Sequence, residues 1–275
     1  MIQAFKMAMK SISGNKFRAF LTMLGIIIGV MALVILVSLV SGATGTVTDT
    51  ISSLGSNLLS VTVSDDKGAP VTLDTLDEWM ADPRIGLAAP SATTTATGKY
   101  SSTTKTVTVY GATPAYAPIN GQTVLLGRFL TQADVENHTS VCIITEKTAE
   151  DMVGYTDCLG EEISLDGRKF TVVGILKNDD ESLTGILTKN SMIAYIPYTT
   201  LMRLSATVSS TITSFSVSAP EGGNMAATES AMKRLLLDRF EDDEDAFSLL
   251  SQNMLEDAMS SVTGILTVLL GGIAA

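Results

Sequence analysis

The chain has 275 residues, of which 45% are hydrophobic and only 17% charged, and its mean hydropathy is +0.32, more apolar than a soluble domain of this size needs. Lys6, Lys10, Lys16 and Arg18 sit in the first 19 residues without an acid, so beyond them 14 basic residues face 29 acidic ones, a net −15. That balance excludes nucleic-acid binding, which needs Lys and Arg to displace condensed counterions, and it disfavours docking of the large acidic part on anionic headgroups.

At the N-terminus, Ile2, Phe5, Met9 and Ile12 recur at spacings of three and four until Gly14. The pattern predicts a short basic amphipathic helix over 1–14 on the inner membrane surface; a solvated leader with chance periodicity is the alternative. From Phe20 to Val40 no residue is charged. As a helix this stretch reaches about 31 Å, close to the ~30 Å hydrocarbon layer, so 19–41 is predicted to be a transmembrane helix. It is too long for the apolar region of a cleaved signal peptide, although Ser41, Gly42 and Ala43 resemble a cleavage site. The basic flank puts the N-terminus in the cytoplasm and 43–261 outside. Gly25 and Gly29 form a GxxxG pair, either a helix-packing contact or the ordinary glycine content of a membrane helix.

The middle of the chain reads as alternating short strands and helices. Leu58 to Val63 suits a strand, and Thr72 to Met80 a helix capped by Thr72 or Asp74 and ended by Pro83. Two Thr-rich strands follow, 91–97 and 103–110, separated by Gly98; a disordered stalk is the competing reading, opposed by Val107, Val109 and Tyr110. Thr131 to Asp134 reads as a helix start, Val141 to Thr145 as a buried strand, and Glu146 to Val153 as a short helix. Glu162 to Gly174 is the clearest hairpin, turning at Asp166-Gly167 with Ile163, Leu165, Phe170 and Val172 alternating inward. Met192 to Ile196 is a strand, and Pro197 suits the first position of a helix through Leu204. Ile212 to Ser218, Met225 to Phe240 and Ala246 to Leu250 repeat the order strand, helix, strand. The charge-free run Val262 to Ala275 is too short to cross a bilayer and reads as the start of a second, truncated transmembrane helix.

The expected fold class is therefore α+β: a transmembrane helix, then a two-lobed extracytoplasmic domain of mixed sheets and short helices, then the start of a second span. The predicted outer lobe comprises 42–117 and 191–261, the inserted β-rich lobe 118–190, and the second span 262–275.

Candidate chemistry is sparse. His138 is the single histidine and reads as a loop residue, without the neighbours that a zinc site or a catalytic triad requires. The acidic run 241–245 lacks the spacing of a calcium loop and reads as a solvated loop. No GxxxxGK[ST] pattern occurs, so a phosphate loop of that kind is absent from this sequence. Cys142 and Cys158, the only cysteines, are a candidate disulfide in an oxidising compartment, worth about 3 kcal/mol by loop entropy; Cys142 within VCIIT equally suits a buried free thiol.

Several pieces of this chain resemble the MacB-like ABC transporter permeases of the FtsX-related superfamily: NKFRAFLTMLGIIIGV at 15–30, LGSNLL at 54–59, GRFLTQADV at 127–135, DGRKFTVVGIL at 166–176 and LTVLLGGIA at 266–274. The Thr-rich 91–108 region and the acidic 241–245 run depart from the family. The resemblance implies a cell-membrane permease subunit with four membrane helices and the large domain between the first two. Its partners would be a cytoplasmic ABC ATPase subunit, a second copy or paralogous permease, the lipid bilayer and an extracytoplasmic adaptor. ATP hydrolysis by the partner would drive movements of the outer domain for export or extraction of a peptide, lipid-linked or drug-like substrate, and the chain itself would be no enzyme and hold no cofactor or metal. A membrane-anchored adaptor or sensor regulating cell-envelope enzymes, as FtsX-type proteins are, is the alternative.

Overall fold

The computed structural model describes residues 16–53, 58–178, 191–205 and 207–251, with 254, 261, 262, 264 and 265. The expected helix over 1–14 and most of the run 262–275 lie outside the described residues. Two compact units divide the chain, Met1–Asp49 with Glu256–Ala275, and Thr50–Leu255.

Helix α1 (Lys16–Ser53) runs unbroken for 38 residues, all but the last four of them in the first unit. Phe20, Ile26, Ile28 and Ile35 are among its exposed apolar side chains. Among the described residues no helix is long and apolar enough to cross a membrane. The charge-free part from Phe20 to Val40 is observed as helix.

The second unit is built on two sheets. The first has four antiparallel strands in the order β11-β1-β10-β2, where β1 is Leu58–Val63, β2 Ala88–Pro90, β10 Ser214–Ser218 and β11 Phe247–Ser251. Alternation fixes its inner face: Leu59, Val61 and Val63 of β1 are buried with Phe215 and Val217 of β10. Helices α2 (Leu73–Trp79) and α7 (Met225–Arg239) contribute to the same core through Leu76, Trp79, Met232 and Leu236. Arg239 ties this lobe together, its guanidinium 6.0 Å from the centre of the Trp79 ring while it donates to the carbonyls of Ala69 and Pro70 at 3.0 and 2.7 Å.

The second sheet closes on itself. Its strands are β3 (Ala92–Tyr100), β4 (Thr103–Ala112), β5 (Val124–Gly127), β6 (Val141–Thr145), β7 (Glu162–Leu165), β8 (Arg168–Leu176) and β9 (Ile193–Pro197). The order is β5-β8-β6-β9-β4-β3-β7, and β7 pairs back onto β8, so six strands form a small barrel with β5 extending one edge. Closure removes most of the free edge that an open sheet would present. The barrel core takes a residue from each of these strands, including Ala96, Val107, Cys142, Leu165, Phe170 and Ala194. A second apolar cluster holds Ile143, Leu176 and Tyr195, with the Tyr195 ring 5.3 Å from that of Tyr110 and 5.5 Å from that of Tyr116.

Strand pairing corrects the expected lobe boundaries. Residues 92–112 and 191–204 belong to the expected outer lobe, yet β3 pairs with β4 and β7, and β4 with β9, in the barrel. The barrel lobe thus runs from β3 through helix α6 (Tyr198–Leu204), and the chain passes between lobes at Ser91, a single residue between β2 and β3, and again after Leu204. Gly98 does not separate two strands. It lies inside β3, where an added Cβ would approach Val107 Cγ2 to 2.5 Å, and the reversal falls at Ser101, whose φ is +51°. Pro197 ends β9 and caps α6 instead of occupying its first turn.

Candidate functional site

A cleft of about 280 Å³ lies between the two lobes. One wall is α2, where Leu73, Leu76, Asp77 and Met80 fall on one face by their spacing. The opposite wall is helix α4 (Gln132–Glu136), through Gln132 and Val135, and the floor combines Leu87, Ala88 and Pro90 with the segment Thr113, Pro114, Ala115 and Pro118. Ten of these thirteen residues are apolar and none is basic, which leaves Asp77 as the lining residue that carries charge.

Local sequence fixes both walls. Thr72 caps α2, its hydroxyl accepting from the Thr75 amide while the Thr75 hydroxyl accepts from the Thr72 amide, a reciprocal capping box. Trp79 anchors the far side of the helix against Phe215, ring centres 5.7 Å apart. The second wall uses the same device: Thr131 and Asp134 cap α4 reciprocally. The start of α6 then holds that wall, because Thr199 Oγ1 donates to the Val135 carbonyl and Thr200 Oγ1 to the Thr139 carbonyl at 3.0 Å.

Two polar groups of the cleft are out of balance. Burial raises the Asp77 carboxyl above its ordinary value, and the negative charges of Asp74 and Glu136 raise it further. Thr113 is 8% exposed, and its Oγ1 has no hydrogen-bond partner among the described residues.

The residues singled out from the sequence do not gather here. Gly25 and Gly29 lie on α1, where a Cβ on either would meet nothing within 4 Å. Cys142 and Cys158, expected as a candidate bridge, are both free thiols buried in the barrel core. Burial pushes both thiols up, and the pair favours the inert protonated form. His138 sits in the turn after α4 with φ +51°. The acidic run is engaged locally, Asp243 with Lys67 at 2.7 Å and Glu244 with Lys233 at 2.9 Å, and no described group of His, Cys, Asp or Glu is arranged to hold a metal ion. Asp77, Thr113 and Gln132 were missed by sequence reasoning. For Thr113 alone a signal was present, the proline-bearing run GATPAYAP at 111–118, a stiff connector of the kind that positions a cleft.

A closed barrel joined at two crossings to a four-stranded α/β layer defines a two-lobed α+β module. The chain belongs to the MacB-like periplasmic core domain family, which matches residues 19–235. It is similar to the macrolide export ATP-binding/permease protein MacB of Neisseria gonorrhoeae strain FA 1090, 26% identical over 280 residues, and to that of Bordetella avium, 29% identical over 281. In both cases 99% of this chain aligns with 42% of the relative, so the chain spans less than half the length of these curated relatives. Among solved structures, the periplasmic region of MacB from Actinobacillus actinomycetemcomitans matches with a TM-score of 0.64 at 18% identity, covering 77% of this chain and 96% of that one. The extracellular domain of the noncanonic ABC-type transporter YknZ from Gram-positive bacteria matches with a TM-score of 0.57 at 21% identity, covering 71% of this chain and all of that one. At these identities the two structures speak to the fold.

Proposed function

We propose that the chain is part of a permease subunit of an ABC transporter of the MacB type, anchored by α1 in the cell membrane with its N-terminus cytoplasmic and residues 43–261 outside. A cytoplasmic ABC ATPase, carried on a partner subunit, supplies the energy, and movements of the outer domain serve export or extraction of a peptide, lipid-linked or drug-like substrate. The observation that carries this reading is the family match, which runs from the charge-free helix through both lobes in one continuous stretch, residues 19–235. The basic flank at Lys6, Lys10, Lys16 and Arg18 supports the orientation.

The subunit works as a pair, with a second copy or a paralogous permease. Gly25 and Gly29 offer an unobstructed helix surface for that contact, since close packing of membrane helices depends on small residues. An extracytoplasmic adaptor is a further partner. Co-purification from native membranes tests the reading: an ABC ATPase should accompany the full-length protein at stoichiometric yield, and its reproducible absence would defeat the permease assignment.

A further inference from the structure

The interlobe cleft is open along its apolar lining. Leu87 is 37% exposed on the floor, and Leu73 and Met80 of the α2 wall keep part of their surface in water, as do Pro114 and Pro118 of the connecting segment. Apolar surface gathered in a concave, water-filled space is covered favourably by another molecule, and such a patch on a folded domain marks a place of contact. Carboxylates frame the opening from both lobes. Asp74 and Asp77 stand on α2 and Glu136 ends α4; all three are exposed, and Asp74 and Glu136 are near enough to act on the Asp77 carboxyl. None of the three joins an ion pair among the described residues, whereas Asp243 and Glu244 of the acidic run have lysine partners. With no basic residue in the lining, like charges held on both sides of the opening concentrate a negative potential there and select a positively charged partner.

We infer that the cleft docks a basic amphipathic segment of a partner polypeptide. Apolar side chains of that segment, one helical turn apart, enter among Leu73, Met80, Leu87 and Pro118, and the Lys or Arg residues beside them lie over the exposed carboxylates of Asp74, Asp77 and Glu136. A cavity of about 150 Å³ accepts a ring the size of benzene, so the cleft, at about 280 Å³, takes about two such side chains. Anchors at that spacing are how an amphipathic helix lies in an apolar groove. A purely apolar occupant would leave the three carboxylates without a counter-charge. A second copy of this chain would bring its own excess of acid, 29 acidic residues against 18 basic, to the same opening. The inference stands apart from the permease reading, since the cleft belongs to the folded domain whatever the domain serves.

The test uses the full chain in nanodiscs of zwitterionic lipid and the fluorescence anisotropy of a labelled peptide, Leu-Lys-Lys-Leu-Leu-Lys-Lys-Leu amide, with the signal of empty discs subtracted. The peptide should bind saturably, and analogues with Glu for every Lys or Ala for every Leu should bind at least about tenfold more weakly. Leu87→Lys, which puts a like charge on the exposed floor, should weaken the lysine peptide by about tenfold. Leu125→Lys, the same change at a leucine 45% exposed on β5 and outside the cleft, should leave it unchanged. Asp77→Asn combined with Glu136→Gln should also weaken it by about tenfold, while Asp238→Asn, which removes a charge from the exposed part of α7, should not. A melting curve for each variant separates lost binding from lost folding. Equal binding of the lysine and glutamate peptides, or unchanged binding in folded Leu87→Lys, would overturn the inference. So would a Leu87→Lys effect confined to the oligomeric state, which would assign the cleft to a second copy.

Discussion

Arg128 and Asp134 close on each other across the turn that starts α4, Nη1 donating to Oδ2 at 2.6 Å and Nη2 to Oδ1 at 3.3 Å. The Thr131 amide and hydroxyl donate to Oδ2 at 2.9 and 2.7 Å, and Thr139 Oγ1 donates to Oδ1 at 3.1 Å. Burial by itself would raise the Asp134 carboxyl; the bonds from Arg128, Thr131 and Thr139 outweigh it and hold the group well below the usual carboxylate range. A lowered folded value stabilises the fold above the unfolded carboxylate range near 3.8, and that stability is lost as pH falls through the lower folded value. Asp134→Asn should cost about 2–4 kcal/mol near neutral pH. The difference between the denaturant melts of the two proteins should begin to shrink as pH falls below the unfolded value near 3.8 and vanish only as pH passes through the much lower folded value; a constant difference across that range would show that the charge is not the cause.

Gly127 and Gly174 allow a close crossing of β5 and β8. A Cβ at Gly174 would lie 2.1 Å from the Arg128 carbonyl oxygen, and one at Gly127 would lie 2.3 Å from the Val173 oxygen. Gly127 also has φ +75°, where an L side chain is strained. Gly174→Ala should therefore destabilise by about 3 kcal/mol, since the backbone must shift, whereas Gly160→Ala, with open space around it and φ +82°, should cost about 1 kcal/mol. Urea unfolding midpoints compare the two, and equal losses would contradict the crossing.

The state of Cys142 and Cys158 can be read by mass. Both are buried free thiols in this fold, so the native protein should resist alkylation, and unreduced protein in denaturant should gain two adducts. Denatured, unreduced protein with no adduct would reveal the disulfide.

Asp77 sits on an exposed stretch of α2, and its raised carboxyl value has the opposite consequence to that of Asp134. A raised value means the fold tolerates the protonated acid better, so this contribution is present below the unfolded value near 3.8 and is lost as pH rises through the folded value. Asp77→Asn should raise Tm slightly at pH 7, by no more than about 2 °C because water screens an exposed carboxylate, and the gain should vanish at pH 3. A lower Tm at pH 7 would refute the assignment of strain to this group.

Much of the local structure was legible along the chain. Leu58–Val63 and Val141–Thr145 are observed with the bounds their alternating and apolar runs predict. Thr72 and Thr131 cap their helices as capping boxes. Asp166-Gly167 makes the expected turn with φ of +48° and +83°, and its position is then fixed by a long-range bond, Asp166 Oδ1 accepting from the Thr97 amide at 2.7 Å. That bond was invisible in the sequence, and with it the membership of the Thr-rich strands: β3 reads as half-exposed by its own pattern, yet β7 and β4 flank it and complete the barrel.

The sequence by itself determined the charge-free helix, the caps and turns, the strand periods and the family, because each depends on residues within a few positions of one another or on an ordered series of short motifs. Only the tertiary structure decided that six strands close into a barrel, that the lobes divide at Ser91 and after Leu204, and that Asp77, Thr113 and Gln132 share one cleft. These are contacts between segments tens of residues apart. Which segments meet is set by competition among all the apolar faces for one close-packed interior, and no local pattern reports its outcome.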